Sequence, residues 1–201
     1  MIHYDYYEVP RATADEFVRG QEMGRLVTVG ADGTPHIGLY PFAYDGATVE
    51  VHLNRADAQL ADLAANRRCL FEVDEVLAII PSYWVHPESA VAATAYHRTV
   101  ILTCEAVVSN DADTLVEQQT RLLARYQPEG GFRPVSADDP LYRGAIDFIA
   151  AVTLTVTACE SKFKLGQNRP PAVRLKVAEE LRRRARPNDA RAAEAVTATT
   201  R

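Results

Sequence analysis

Several things are missing from this sequence, and each absence removes a class of protein. No apolar run approaches the roughly 20 residues of a membrane-spanning helix. The first residues, MIHYDYYEVPR, lack a basic segment followed by an apolar core, so a secretory signal is not expected and a cytoplasmic location is. Cysteine is scarce: Cys69, Cys104 and Cys159 lie far apart, each inside an apolar strand-like run. They form no CxxC and no Cys/His cluster of zinc spacing, and read as small hydrophobes of a reduced protein. GxSxG, the P-loop and GxGxxG are absent, which leaves serine hydrolase, nucleotide triphosphatase and Rossmann readings without support. Positive charge is in deficit, with 22 Lys and Arg against 27 Asp and Glu for a net charge of −5. That argues against a large nucleic-acid footprint, while a local basic patch stays open.

What is present is a soluble-type composition, 47% hydrophobic and 24% charged, in 201 residues that suffice for one ordinary domain with a real core. The organising stretch is residues 25–53, which reads as three β-strands joined by Asp32-Gly33 and Asp45-Gly46. Asp-Gly between β-rich runs is a strong hairpin signal because both positions tolerate positive φ. Strands linked in this way make an antiparallel meander, the usual start of a sandwich or barrel.

Around it, Thr13 and Glu16 form a capping-box pattern that opens a helix over residues 13–23, and residues 56–66 read as a short helix. Residues 68–73 and 76–80 are strand-like, with a kink, turn or bulge at Asp74-Glu75 between them. Residues 81–96 have no clear period, so they form a loop with more than a connecting role. A strand at 97–108 precedes a helix capped by Asn110 and running to Tyr126, then a Gly/Pro-rich loop and a short helix over 141–148. Residues 151–159 alternate Val152, Leu154 and Val156 with threonines, as a half-buried strand does, and 162–168 continue it. Pro170-Pro171 introduces a basic helix over 173–186, and from Pro187 the lack of large apolar residues predicts a flexible tail. The organisation expected is therefore one domain over 1–170, a basic helix over 171–186 and a tail over 187–201. The fold class is α+β, mainly antiparallel β, built on a barrel with flanking helices.

Three constellations could carry chemistry. His52, Asn54, Arg55 and Gln59 lie where a strand ends beside a helix start, whose free N–H groups and arginine fork can hold a phosphate. The plain alternative is a solvated arginine at a strand–helix junction. Lys164, Gln167, Asn168 and Arg169, with Lys162, could grip an anion or a heteroaromatic edge, or form an ordinary basic surface. Tyr83 and Trp84, with Arg98, could stack on a flat cofactor or make a subunit contact, where Tyr, Trp and Arg are enriched. His3, His36, His52, His86 and His97 form no pair at a helical metal spacing, so a non-haem metal site is not expected. Any one of them could be the single proximal ligand of a haem iron.

The segments GRLVTVGADGTPHIGLYPFAYDG and VEVHLNRADAQLADLAANRRCLFEVDE resemble the FMN-binding split-barrel superfamily, the pyridoxamine 5′-phosphate oxidase-like proteins, including their nitroimidazole-resistance branch. Residues 121–170, ending KFKLGQNRP, look more like the PaiB-type FMN-binding negative transcriptional regulators. Departures are VAATAY in place of a Pro-Thr-Trp-Asn-Tyr run, and Asp57-Ala58-Gln59-Leu60 in place of Asn-Pro-Gln-Trp. The resemblance implies a six-stranded split barrel, a homodimer and two FMN sites across its interface. It implies His52, Asn54, Arg55 and Gln59 near the FMN phosphate and ribityl, and Leu39, Tyr40, Pro41 and Phe42 along the isoalloxazine edge. Tyr83, Trp84, Lys164, Gln167, Asn168 and Arg169 would reach the site, some from the partner subunit, and Arg98 or Lys164 would face a reduced flavin. The function expected is a flavin-dependent oxidoreductase acting on a small molecule. Haem-binding split-barrel relatives make a haem protein the alternative, and a PaiB-like regulator the second alternative, with no membrane partner.

Overall fold

The computed structural model describes residues 4–200. Among the described residues seven strands join in one antiparallel sheet, and six α-helices accompany them in the chain. The strands are β1 (Met23–Val29), β2 (Pro35–Pro41), β3 (Ala43–Tyr44), β4 (Thr48–Asn54), β5 (Arg68–Ile80), β6 (Thr94–Ser109) and β7 (Ile149–Lys164). The helices are α1 (Arg11–Arg19), α2 (Ala58–Ala65), α3 (Ala112–Tyr126), α4 (Pro140–Phe148), α5 (Pro171–Arg184) and α6 (Asp189–Ala198). The sheet order is β2-β1-β5-β6-β7-β4-β3.

Both Asp-Gly turns form as the sequence predicts. Gly33 and Gly46 hold φ of +85° and +107°, and each aspartate accepts N–H groups from the residues that follow its glycine. The meander itself is corrected. β2 pairs only with β1, and the chain breaks at Phe42, whose ring points into the core against Phe71 at 5.1 Å. The resumed strand, β3, pairs with β4 at the opposite edge of the sheet. That break adds a seventh strand to the six the resemblance implied. A single residue spans about 3.8 Å, so a sheet whose two edge strands are joined through Phe42 alone has to roll up until those edges nearly meet.

The chain divides into two compact units, to both of which β5, β6 and β7 contribute residues. The barrel unit comprises Asp15–Val73 and Ile101–Cys159. Side chains at alternate positions fill its interior: Val49, Val51 and Leu53 of β4 are buried, as are Phe71 and Val73 of β5, Leu102 and Cys104 of β6, and, from β7, Val152 and Leu154. Opposite Phe71 the chain needs Gly24, since a Cβ there would lie 2.3 Å from the ring. A second cluster, Leu115, Ile146 and Ala151, joins α3, α4 and β7.

The terminal unit comprises the described residues up to Ala14, Asp74–Val100, and those from Glu160 on. Asp74-Glu75 does not interrupt β5; the alternation of buried residues slips there while the strand continues. Residues 81–93 contain two 3-10 turns, Ser82–Trp84 and Ala90–Ala92. The tail expected from Pro187 is also corrected: Asp189–Ala198 forms α6, with Ala192, Ala193, Ala195 and Val196 buried. Small side chains let this helix approach α5 closely, where Val177, Ala178 and Leu181 are buried in turn. Arg184 locks the pair through a two-pronged contact with Asp189 at 2.6 and 2.8 Å. Among the described residues no helix is long and apolar enough to cross a membrane.

Candidate functional site

At the end of β4 the backbone turns into α2 through Asn54 to Asp57, and the side chains there largely satisfy their own neighbours. Asn54 Oδ1 accepts from the Ala56 N–H, and Asp57, as N-cap of α2, accepts from the Gln59 N–H. Two donors that a phosphate would need are thus taken, and Asp57 adds a negative charge at the same place. Arg55 donates from Nε to the Ile149 carbonyl at 2.9 Å and from Nη2 to that of Ile146 at 3.4 Å, beside the C-terminal end of α4. This strand exit does not fit a phosphate in the manner expected from its sequence.

Gln59 is buried and braces the barrel. Its amide nitrogen donates to the Leu26 carbonyl at 3.0 Å, to Thr28 Oγ1 at 3.2 Å and to the His36 carbonyl at 3.3 Å. Its oxygen accepts the Tyr40 hydroxyl at 2.7 Å, and that hydroxyl also donates to Asp57 at 2.9 Å. Burial, then the Asp57 contact, pushes the Tyr40 hydroxyl far above its ordinary pKa. The network continues to buried Asp62, which accepts Thr28 Oγ1 at 2.6 Å and meets His36 Nδ1 at 2.7 Å. The hydrogen bond to Asp62 raises the His36 pKa, and the hydrogen bonds from Thr28 and His36 lower that of Asp62. Thr28 and Asp62 carry no signal in the sequence, and His36 stood there only as one of five possible haem ligands; the pairing depends on β2 lying against α2.

The other residues expected on this side do not share one surface. Leu39 is 55% exposed, with Ile37, on the face opposite Tyr40, and Phe42 is fully buried in the barrel. Pro41 ends β2 at the break. His52 is half-buried, its Nδ1 has no partner, and burial lowers its pKa.

The terminal unit gathers three of the expected residues. Lys164, Asn168 and Arg169 line a pocket of about 330 Å³ with Tyr4, Tyr6, Tyr7 and Tyr96, the remainder coming largely from residues 91–94. The tight turn that positions them depends on Gly166, at φ +87°, where a Cβ would lie 2.3 Å from the Tyr96 hydroxyl. Gln167 secures the same turn, accepting from the Leu165 N–H and donating to the Phe163 carbonyl. Tyr4, Tyr6 and Tyr7 pack on one another, with Tyr4 stacked on Tyr6 at 5.2 Å between centroids. Among the described residues neither Lys164 nor Arg169 has a carboxylate partner. Burial raises the Tyr96 pKa, an effect that the nearby Arg169 opposes. The DYY run at the start of the chain was the one sequence signal for the three N-terminal tyrosines.

Trp84 is buried, with the Arg184 guanidinium over its ring at 4.8 Å, so it packs in the unit's core, whereas Tyr83 is 65% exposed. Arg98 lies over Phe163 and 3.7 Å from Glu75, which Arg191 also contacts at 2.5 Å. Among the histidines, His97 is half-buried, and burial followed by the charges of Lys162 and Lys164 lowers its pKa. His86 Nδ1 accepts the N–H groups of Glu88 and Ser89, and His3 lies outside the described residues.

Many solved structures resemble the chain, and three of them serve as examples. The conserved hypothetical protein Rv2991 from Mycobacterium tuberculosis shares 16% identity at a TM-score of 0.60, over 85% of this chain and 94% of that one. The FAD and heme binding protein from Mycobacterium smegmatis shares 16% at 0.63, over 79% and 73%. The flavocytochrome Anf3 from Azotobacter vinelandii shares 18% at 0.60, over 80% and 74%. At such identities the likeness carries the fold. No protein among the curated ones matches by sequence. The family described as "Putative FMN-binding domain" matches residues 1–158, which is most of the sequence, and the chain belongs to this family.

Proposed function

We propose that this protein binds FMN and works as a homodimeric flavin-dependent oxidoreductase on a small molecule, with the terminal-unit pocket as the part of the flavin site that each chain supplies. The observation that carries the reading is that pocket, where two cations without carboxylate partners stand beside a cluster of tyrosines. Flat aromatic surface with adjacent positive charge is the chemistry an anionic ring system requires. Bound FMN would supply the electron transfer. Lys164 and Arg169 hold negative charge on the phosphate or on the reduced ring, Asn168 offers an amide to a heteroaromatic edge, and the tyrosines exclude water.

The dimer draws support from the outer face of β1, β2 and β5. Val27 stands in register with Ile37 and with Leu70, and Met23, Val29, Ile37, Leu39 and Leu70 are all exposed. An apolar sheet face of this kind is where a partner subunit is expected. Titration with FMN, followed by flavin absorption and fluorescence quenching, tests the cofactor. Binding that falls at least about tenfold in Lys164→Ala/Arg169→Ala supports the reading, the loss expected on removing charged hydrogen bonds. A folded dimer that acquires no flavin spectrum in excess FMN would refute it.

A second reading, haem binding, is favoured by His97, a half-buried imidazole whose pKa burial lowers, which suits an iron ligand. A Soret band on adding haemin that vanishes in His97→Ala supports it; absence of the band dismisses it.

A further inference from the structure

A second groove, within the barrel unit, is lined by Arg55, Leu60, Arg67, Val107, Val108 and Asn110 among others, and encloses about 730 Å³. Much of its lining is apolar: Val107 is 50% exposed and Val108 37%, and Leu60, Ala61 and Ala64 of α2 join them. No carboxylate lines it.

The two arginines are mounted alike. Arg55 is pinned through Nε to the Ile149 carbonyl, and Arg67 through Nε to the Ala106 carbonyl, both at 2.9 Å. The Arg67 carbonyl in turn accepts the Ala106 N–H at 2.8 Å, so its backbone is held to the same strand residue. Nη1 of Arg55 and both Nη atoms of Arg67 have no partner among the described residues, and neither arginine is in an ion pair. The contrast with Arg25, Arg121, Arg133 and Arg184 is informative, since each of those meets a carboxylate within 3 Å. Pinning the fork at Nε removes the side-chain entropy that an arginine ordinarily loses on gripping a ligand. Two anchored cations and two part-exposed valines in one groove therefore present donors without an acceptor, and apolar surface without a cover.

We propose that this groove binds an amphiphilic anion, a carboxylate or similar head carried on a short apolar body, independently of the flavin. The head takes the free Nη groups with the Asn110 amide beside them, and the apolar body covers Leu60, Val107 and Val108. Neither half suffices alone: a small inorganic anion leaves the valines wet, and an alcohol of equal length leaves the guanidinium groups unmatched.

Calorimetric titration of the full-length protein with decanoate, below its micellar concentration, tests this against decanol and inorganic phosphate. Decanoate is expected to bind at least about tenfold more tightly than either, and Arg67→Gln to weaken it by a similar factor. Because Arg67 also holds Ala106, a second variant, Val107→Glu, places a carboxylate at a half-exposed position of the lining without touching the barrel interior. It is expected to abolish decanoate binding while leaving the melting temperature unchanged. Absence of decanoate binding, equal binding by both variants, or equal binding of decanol or phosphate would overturn the proposal. So would displacement of decanoate by FMN, which would make the groove part of the flavin site. Failure of the protein to bind FMN leaves the decanoate result to be read by itself.

Discussion

Gln59 separates a cofactor ligand from a structural brace, and Gln59→Met tests which it is. The substitution keeps the length and volume of the side chain and removes its polar end. Lost with it are donations to the Leu26 and His36 carbonyls and to Thr28 Oγ1, and an acceptance from Tyr40, at 2.7 to 3.3 Å. Thr28 keeps Asp62, and Tyr40 keeps Asp57, so their hydroxyls stay bonded. The two strand carbonyls each lose a bond close to a buried amide. With a net contribution of about 1 kcal/mol for each neutral bond and a further penalty for under-satisfied buried acceptors, the expected loss is about 2–3 kcal/mol. For a chain of this size that is a fall in melting temperature of roughly 5–10 °C. Urea unfolding without added flavin, with the m-value compared to confirm two-state behaviour, measures it directly. FMN affinity of the folded variant should be unchanged. A loss of stability below about 0.5 kcal/mol, the size of an inconsequential surface change, together with weakened FMN binding would refute the bracing role.

Other consequences are as specific. The His36–Asp62 contact raises the pKa of His36, so its stabilisation is full below the ordinary histidine range and is lost as pH rises through the raised value. Asp62 works in the opposite sense, its contribution present above the ordinary carboxylate range and lost as pH falls through the lowered value. The melting-temperature difference between wild type and His36→Gln should therefore peak at mildly acidic pH and shrink above neutrality; a flat difference contradicts the pairing. Asp189→Ala strands Arg184, whose partner is 2% exposed, and should cost about 3 kcal/mol in urea unfolding, whereas a truly disordered C-terminus would show no effect. Burial pushes the Cys69 and Cys104 thiols up to about 12, so an aromatic disulfide reagent should modify only half-exposed Cys159 until the protein unfolds. Ile37→Asp with Leu39→Asp should convert a sedimenting dimer to monomer with little change in barrel stability, because both residues are exposed in the single chain. A dimer that persists would move the interface elsewhere.

Local chemistry alone determined much of this protein. The turns at Asp32-Gly33 and Asp45-Gly46, the alternation along residues 151–159 and the α+β class follow from positive-φ tolerance and from side-chain period, which are properties of neighbouring residues. Tertiary structure decided the rest. Burying Phe42 against Phe71 broke the second strand and sent its remainder to the opposite sheet edge, a choice no local pattern encodes. The absence of large apolar residues after Pro187 suggested a tail, but alanines have value only against a close partner, and α5 supplies one. The HLNRADAQ stretch carried the right residue types for an anion. Folding turned Asn54 and Asp57 onto their own backbone and Gln59 into the barrel wall, while Arg55 was pinned to Ile149 and lines, with Arg67, a groove built from distant segments. Which polar groups remain free for a ligand depends on what the fold consumes first, and that becomes visible only when distant strands and helices are in place.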